Sequence, residues 1–108
     1  MKRLEMKDWE ILHWALDIKQ LEEIQEKGTL TLDKQGAIDT LKRSLKLGAE
    51  VRKQMEVNLQ NLTEKEREMV QQIITNGIER DKDEAELLER LEKDTEDYLI
   101  GFMKGDRG

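Results

Sequence analysis

WEILHWALDIKQLEEI, residues 9–24, carries apolar side chains at Trp9, Ile11, Leu12, Trp14, Ala15, Leu16, Ile18, Leu21 and Ile24. Wound at 3.6 residues per turn, they fill two overlapping stripes, 11/15/18 and 9/12/16. A helix resting one face on a core needs a narrower stripe. The stretch therefore predicts a helix wedged between neighbours, with both tryptophans in it. It should begin near Asp8 as N-cap, or one turn earlier, and end before Gly28 as a left-handed stop.

Composition points the same way. The chain has 108 residues, 41% of them charged and 36% apolar, with no proline, no cysteine and four aromatics. High charge, helical periodicity and the lack of proline indicate an all-α protein. Zero cysteines exclude disulfides and thiolate metal sites. No apolar run approaches the roughly 18 residues of a membrane span. The charged N-terminus MKRLEMKDWE has no signal-peptide centre, so a cytoplasmic location is expected.

Beyond Gly28, Thr29-Leu30-Thr31-Leu32 alternates like a short strand, but no second strand is evident to pair with it. It is read as a connector. Asp33 is the expected N-cap of a second helix, with Leu32 and Ala37 in staple positions. A 3-4 spacing then runs through Ile38, Leu41, Leu45, Gly48, Arg52, Met55, Leu59 and Leu62. This is a heptad-like seam with weak points at Gly48 and Arg52. Unbroken over 34–61, such a helix would be about 42 Å long at 1.5 Å per residue, longer than a globule of this size. Thr63-Glu64-Lys65-Glu66 has a capping-box pattern that opens a third helix, and Asn76-Gly77-Ile78 fits its stop. Asp81 or Asp83 can cap a fourth helix, whose seam continues through Leu88, Leu91, Thr95, Tyr98 and Phe102.

The expected fold is thus all-α: a small four-helix bundle or an elongated helical hairpin arrangement, with a long coiled-coil-like second helix. One domain should cover 1–104, with 105–108 as a flexible tail.

Charge is divided along the chain. Residues 34–53 hold six basic side chains against two acidic ones, and residues 79–97 hold ten acidic against four basic. The two blocks can complement one another within a chain or between chains. With a formal net charge of −6, nucleic-acid binding is not expected, since its binders carry a basic surplus. The basic run also lacks the interleaved aromatics that stack on bases.

Nothing resembles a catalytic centre. Glu10-x-x-His13 has the spacing that di-iron bundles place on two helices, with Asp17 expected on the same face one turn on. Those bundles need the pair twice, and His13 is the only histidine. Glu23 and Glu26 share the spacing of a magnesium motif whose second acidic half is missing. Ser44, the only serine, sits on the basic run. No catalytic residue, cofactor or metal is expected.

The reading that follows is a non-enzymatic protein–protein interaction module, structural or regulatory. It should self-associate, most simply as a dimer, through Ile38, Leu41, Leu45, Arg52, Met55 and Leu59. Lys42, Arg43, Lys46 and Lys53 would form a basic patch, and Glu86, Glu89, Asp94 and Asp97 an acidic face. One alternative is a small acidic inhibitor or adaptor, of the kind phages and mobile elements encode, that binds a host protein, for instance at a nucleic-acid-binding cleft. A third reading is a nucleic-acid-binding regulator using the basic helix 34–53.

Overall fold

The computed structural model describes residues 3–103; the expected tail at 105–108 lies outside them. Helix α1 spans Met6–Ala15, with Glu5 rather than Asp8 at its N-cap. Asp8 falls in the first helical turn, where it is buried, and its carboxylate takes two hydrogen bonds from Arg90, at 2.6 and 3.3 Å. The expected single helix over 8–27 is two helices. Asp17 caps α2 (Ile18–Lys27) with a capping box, in which the Gln20 amide donates to the Asp17 carboxylate at 2.8 Å and the Asp17 amide to the Gln20 side chain at 3.0 Å. The Asp17 side chain takes up an amide that a helix start leaves unpaired, a cap of about 1 kcal/mol that favours a new start at this position. Gly28 then ends α2 in the left-handed region, at φ 81°, as its sequence position suggests.

Residues 29–33 are not a plain connector. They form β1 (Thr29–Asp33), antiparallel to β2 (Leu99–Met103), with Leu30 opposite Phe102 and Leu32 opposite Ile100. The strand without a partner finds one at the other end of the chain, in residues expected to finish a helix. Alternation explains the choice: Leu30, half-buried Leu32 and Ile100 turn toward the interior, while Thr29 and Thr31 face solvent. The fold is therefore mostly helical with a small two-stranded sheet, not strictly all-α.

Helix α3 (Lys34–Asn58) starts at Asp33, whose side chain accepts the Gly36 amide at 2.7 Å, and runs through Gly48 without interruption. A single 3₁₀ turn, Leu59–Asn61, leads into α4 (Glu64–Lys93), opened by the expected Thr63–Glu66 capping box. Here too the expected division fails, since the third and fourth helices are one helix of 30 residues. Asn76-Gly77 does not stop it. Among the described residues only Gly28 has a positive φ, so Gly77 stays helical. Packing against α3 continues on both sides of Gly77 and outweighs the roughly 1 kcal/mol that a mid-helix glycine costs. At its far end α4 stops at Lys93, and residues 94–98 lead from its C-cap, Asp94, into β2.

Antiparallel α3 and α4 make a hairpin that sets the long dimension of a 50 × 32 × 23 Å molecule. The core lies at its open end. Ile11, Leu12 and Ala15 of α1 pack on Ala37, Ile38 and Leu41 of α3 and on Leu87 and Leu91 of α4, with Ile100 of β2 closing the cluster. A second cluster, Leu16, Ile24 and Leu30, seats α2 on the ribbon. Among the described residues no third layer covers the hairpin toward its closed tip, and Ile74 is the only buried hydrophobic residue between positions 45 and 80.

Candidate functional site

The seam between α3 and α4 is filled over only part of its length. Its rungs run along one face, from Leu41 and Leu87 beneath α1 to Ser44 and Glu84, then to Gly48, Arg52 and Asp81, and on to Met55 and Ile73. Helix α1 covers the first rungs and stops at Ala15. The chain then turns aside, because α2 is fastened to the flank of α3. The Arg43 guanidinium reaches Asp17 at 3.2 Å and Gln20 at 3.0 Å, and Gln20 donates to the buried Thr40 hydroxyl at 3.1 Å. Past that corner the seam opens as a groove of about 360 Å³, with Trp14 and Leu16 at its head.

Its walls are apolar. Trp14 is 46% exposed, Leu47 and Val51 each 52%, and Ile73 53%, with half-buried Met55 among them. Its floor is polar and satisfied. Arg52 bonds Asp81 across the two helices, passing over Gly48 and Gly77. Ser44 donates to Glu84 at 2.7 Å. Glu84 is almost completely buried, and this burial pushes its carboxyl above the ordinary range. Nearby Asp81 adds to the shift, while the Ser44 hydrogen bond and the Arg80 and Arg52 charges oppose it. Arg80 stands over the Trp14 ring at 6.0 Å.

The residues picked out by sequence spacing fall in several places. Ile38 and Leu41 are buried in the chain's own core. Leu45, Met55 and Leu59 are half-buried along the hairpin, and Arg52 is engaged with Asp81. In the basic block, Lys42 lies 3.5 Å from Glu92, Arg43 is held by Asp17, and Lys46 and Lys53 are exposed. In the acidic block, Glu89 pairs with Lys93 at 2.7 Å and Glu86 and Asp97 are exposed. Asp94 accepts from Tyr98 and from the Glu96 amide, and its carbonyl takes the Lys34 ammonium. The opposite blocks thus meet inside one chain, at 42/92 and 52/81.

Trp14, Leu47, Val51 and Ile73 were not among the expected contact residues. The i,i+4 run Leu47-Val51-Met55 signals this face, but in sequence it competes with the adjacent Leu45-containing seam. Glu10 and His13 remain on the exposed side of α1, while Asp17 lies beyond its end and not on the same helix face. Among the described residues no group of three or more histidine or acidic side chains is placed to hold a metal ion. No described helix is long and apolar enough to cross a membrane. Comparison with protein families, characterised proteins and solved structures finds no match to this chain.

Proposed function

We propose that the chain is a non-enzymatic helical interaction module that self-associates through the open half of the α3–α4 seam. One observation carries the reading: the groove that α1 fills at one end continues uncovered, with Leu47, Val51 and Ile73 about half exposed. Helices bury an apolar stripe against another layer, and none of the described residues supplies that layer here. Contiguous exposed apolar surface with a polar border marks interaction sites.

The charges favour a second copy as the missing layer. Six charged residues line the groove, three basic (Arg43, Arg52, Arg80) and three acidic (Asp17, Asp81, Glu84). The chain as a whole carries −6, yet two copies meeting here bring together neutral faces and not like charges. Capture of a basic protein by the acidic side of α4 is the weaker reading, because Glu89 and Glu92 already have lysine partners.

The test is absolute mass in solution by size exclusion with light scattering, across protein concentration and salt. A dimer that persists at high salt is expected, since its contact is apolar. Val51→Glu or Ile73→Glu should return it to monomer with helicity unchanged. A wild-type protein that stays monomeric throughout, or glutamate variants that leave the mass unaltered, would remove this reading.

A further inference from the structure

We infer that Asn76-Gly77 is a self-modifying site, chemically competent in the open chain and held inert by helix α4. Unprotected, it converts Asn76 to aspartate or isoaspartate with water as the only reagent.

Of the chain's three asparagines, Asn58, Asn61 and Asn76, only Asn76 precedes a glycine, and no aspartate does. The following residue matters because its amide nitrogen is the nucleophile. That nitrogen loses its proton to solvent base and attacks the Asn76 Cγ. A new C–N bond closes a cyclic imide, and the side-chain nitrogen leaves as ammonia. Water then opens the imide at either carbonyl. One opening gives aspartate; the other gives isoaspartate, in which the main chain runs through the former side chain. A Cβ on the attacking residue crowds the ring closure, and glycine has none.

Asn76 is exposed to water, yet the helix withholds both reacting atoms. Helix α4 passes through 76 and 77 without a break. The Gly77 amide therefore points along the helix toward the carbonyl four residues back, not toward its neighbour's side chain. The Asn76 side chain is drawn the same way, its Oδ1 accepting from the Gln72 side-chain amide at 3.3 Å. Ring closure needs a rotation about the Asn76 Cα–C bond that takes the backbone out of the helical region.

Protection is only as good as the helix, and this part of it is weakly held. Asn76 lies in the half of the hairpin that α1 leaves uncovered, where Ile74 alone among the described residues between 45 and 80 is buried and apolar. Stretches with few buried contacts open locally more often than a core does. Each opening exposes the pair to reaction, and loss of ammonia makes the product permanent. Isoaspartate adds a backbone atom to α4 beside Gly77, where Arg52 crosses to Asp81. Helix register and ion pair cannot then both be kept.

The experiment is peptide mapping after incubation at mildly alkaline pH, in buffer and in urea. Trypsin releases Glu68–Arg80, in which Asn76 is the only asparagine, and chromatography separates its aspartate and isoaspartate forms. In urea Asn76 should convert while Asn58 and Asn61 stay intact, and Gly77→Ala should slow the conversion about tenfold or more, since its β-carbon crowds the attack. In buffer the wild-type chain should convert more slowly, by the factor that hydrogen exchange gives for protection of the Gly77 amide. Ile74→Ala should narrow that gap, with far-UV helicity showing that the chain is still folded. If Ile74→Ala does not fold, the wild-type comparison between buffer and urea decides alone. An Asn76 that resists conversion in urea would overturn the inference, and so would a folded chain that converts as fast as the unfolded one. Equal rates in buffer for wild type and a folded Ile74→Ala would overturn it as well, because reaction would then not pass through opening of α4.

Discussion

Arg52 on α3 and Asp81 on α4 are joined over a gap made by two glycines. A Cβ on Gly48 would stand 3.1 Å from an Arg52 guanidinium nitrogen, and one on Gly77 would stand 3.3 Å from the same atom. The two glycines leave room for a cation to cross between the helices, and both sides of the resulting ion pair are largely buried. Gly48 and Gly77 are thus helix-interior positions without side chains, not helix ends.

This arrangement predicts coupling. Alone, Gly48→Ala and Gly77→Ala should gain less than the roughly 1 kcal/mol of helix propensity, because each displaces Arg52. In an Arg52→Ala background both should approach the full gain. Denaturant titration of the four combinations should give a coupling energy above about 0.5 kcal/mol for each glycine. Strict additivity would mean that the guanidinium does not occupy the glycine gap.

Glu84 sets a pH dependence. Burial raises its folded pKa above the unfolded value of 4.5, so between the two values the native state binds more protons than the unfolded chain. Stability contributed by this group falls as pH rises through that window and returns on acidification. Glu84→Gln keeps an oxygen to accept from Ser44 and removes the buried charge. It should be more stable than wild type at neutral pH, the difference closing below about pH 4.5. Melting temperatures measured from pH 4 to 7.5 would show it; a constant difference would assign the effect to something other than ionisation.

The two halves of the seam should respond differently to truncation. Leu41 is fully buried under α1, so Leu41→Ala should cost about 2–5 kcal/mol. Val51 is half exposed, and under dilute conditions that keep the chain monomeric Val51→Ala should change stability by no more than about 0.5 kcal/mol. Urea unfolding at low concentration separates the two. A Val51 effect as large as that of Leu41 would mean that the groove is closed within the monomer.

The ribbon is part of the core. Ile100 is fully buried, and Ile100→Ala should cost about 2–5 kcal/mol. Thr31→Pro, which deletes an amide and fixes φ on β1, should slow or block ribbon formation while leaving far-UV helicity nearly intact. Amide exchange at Leu30, Leu32 and Ile100 would report the loss of protection. If helicity rose when β1 was disrupted, residues 99–103 would be reverting to the helix their local pattern suggests.

Much of the local structure was readable from residue order. Asp33 and Thr63 begin helices because their side-chain oxygens take up amides that a helix start leaves unpaired. Gly28 ends one because it alone tolerates the left-handed backbone there. The long seam on α3 and the opposed charge blocks were also visible, since both are patterns within a continuous stretch. Of the groove, Met55, Arg52 and Arg43 were expected as contact residues; Trp14, Leu47, Val51 and Ile73 were not. A helix's spacing shows which side chains share a face, not which face another helix will cover.

Residue order alone thus determined that most of this chain is helical, where its helices can start and which side chains form a common stripe. These depend on periodicity and on capping chemistry reaching no more than four residues. Tertiary packing decided that α4 passes through Gly77, that residues 29–33 pair with 99–103, and that half the seam stays open. Each of these sets local preferences of about 1 kcal/mol or less against the burial of whole side chains at about 1.5–3 kcal/mol apiece, and side chains are buried to that extent only once distant segments meet.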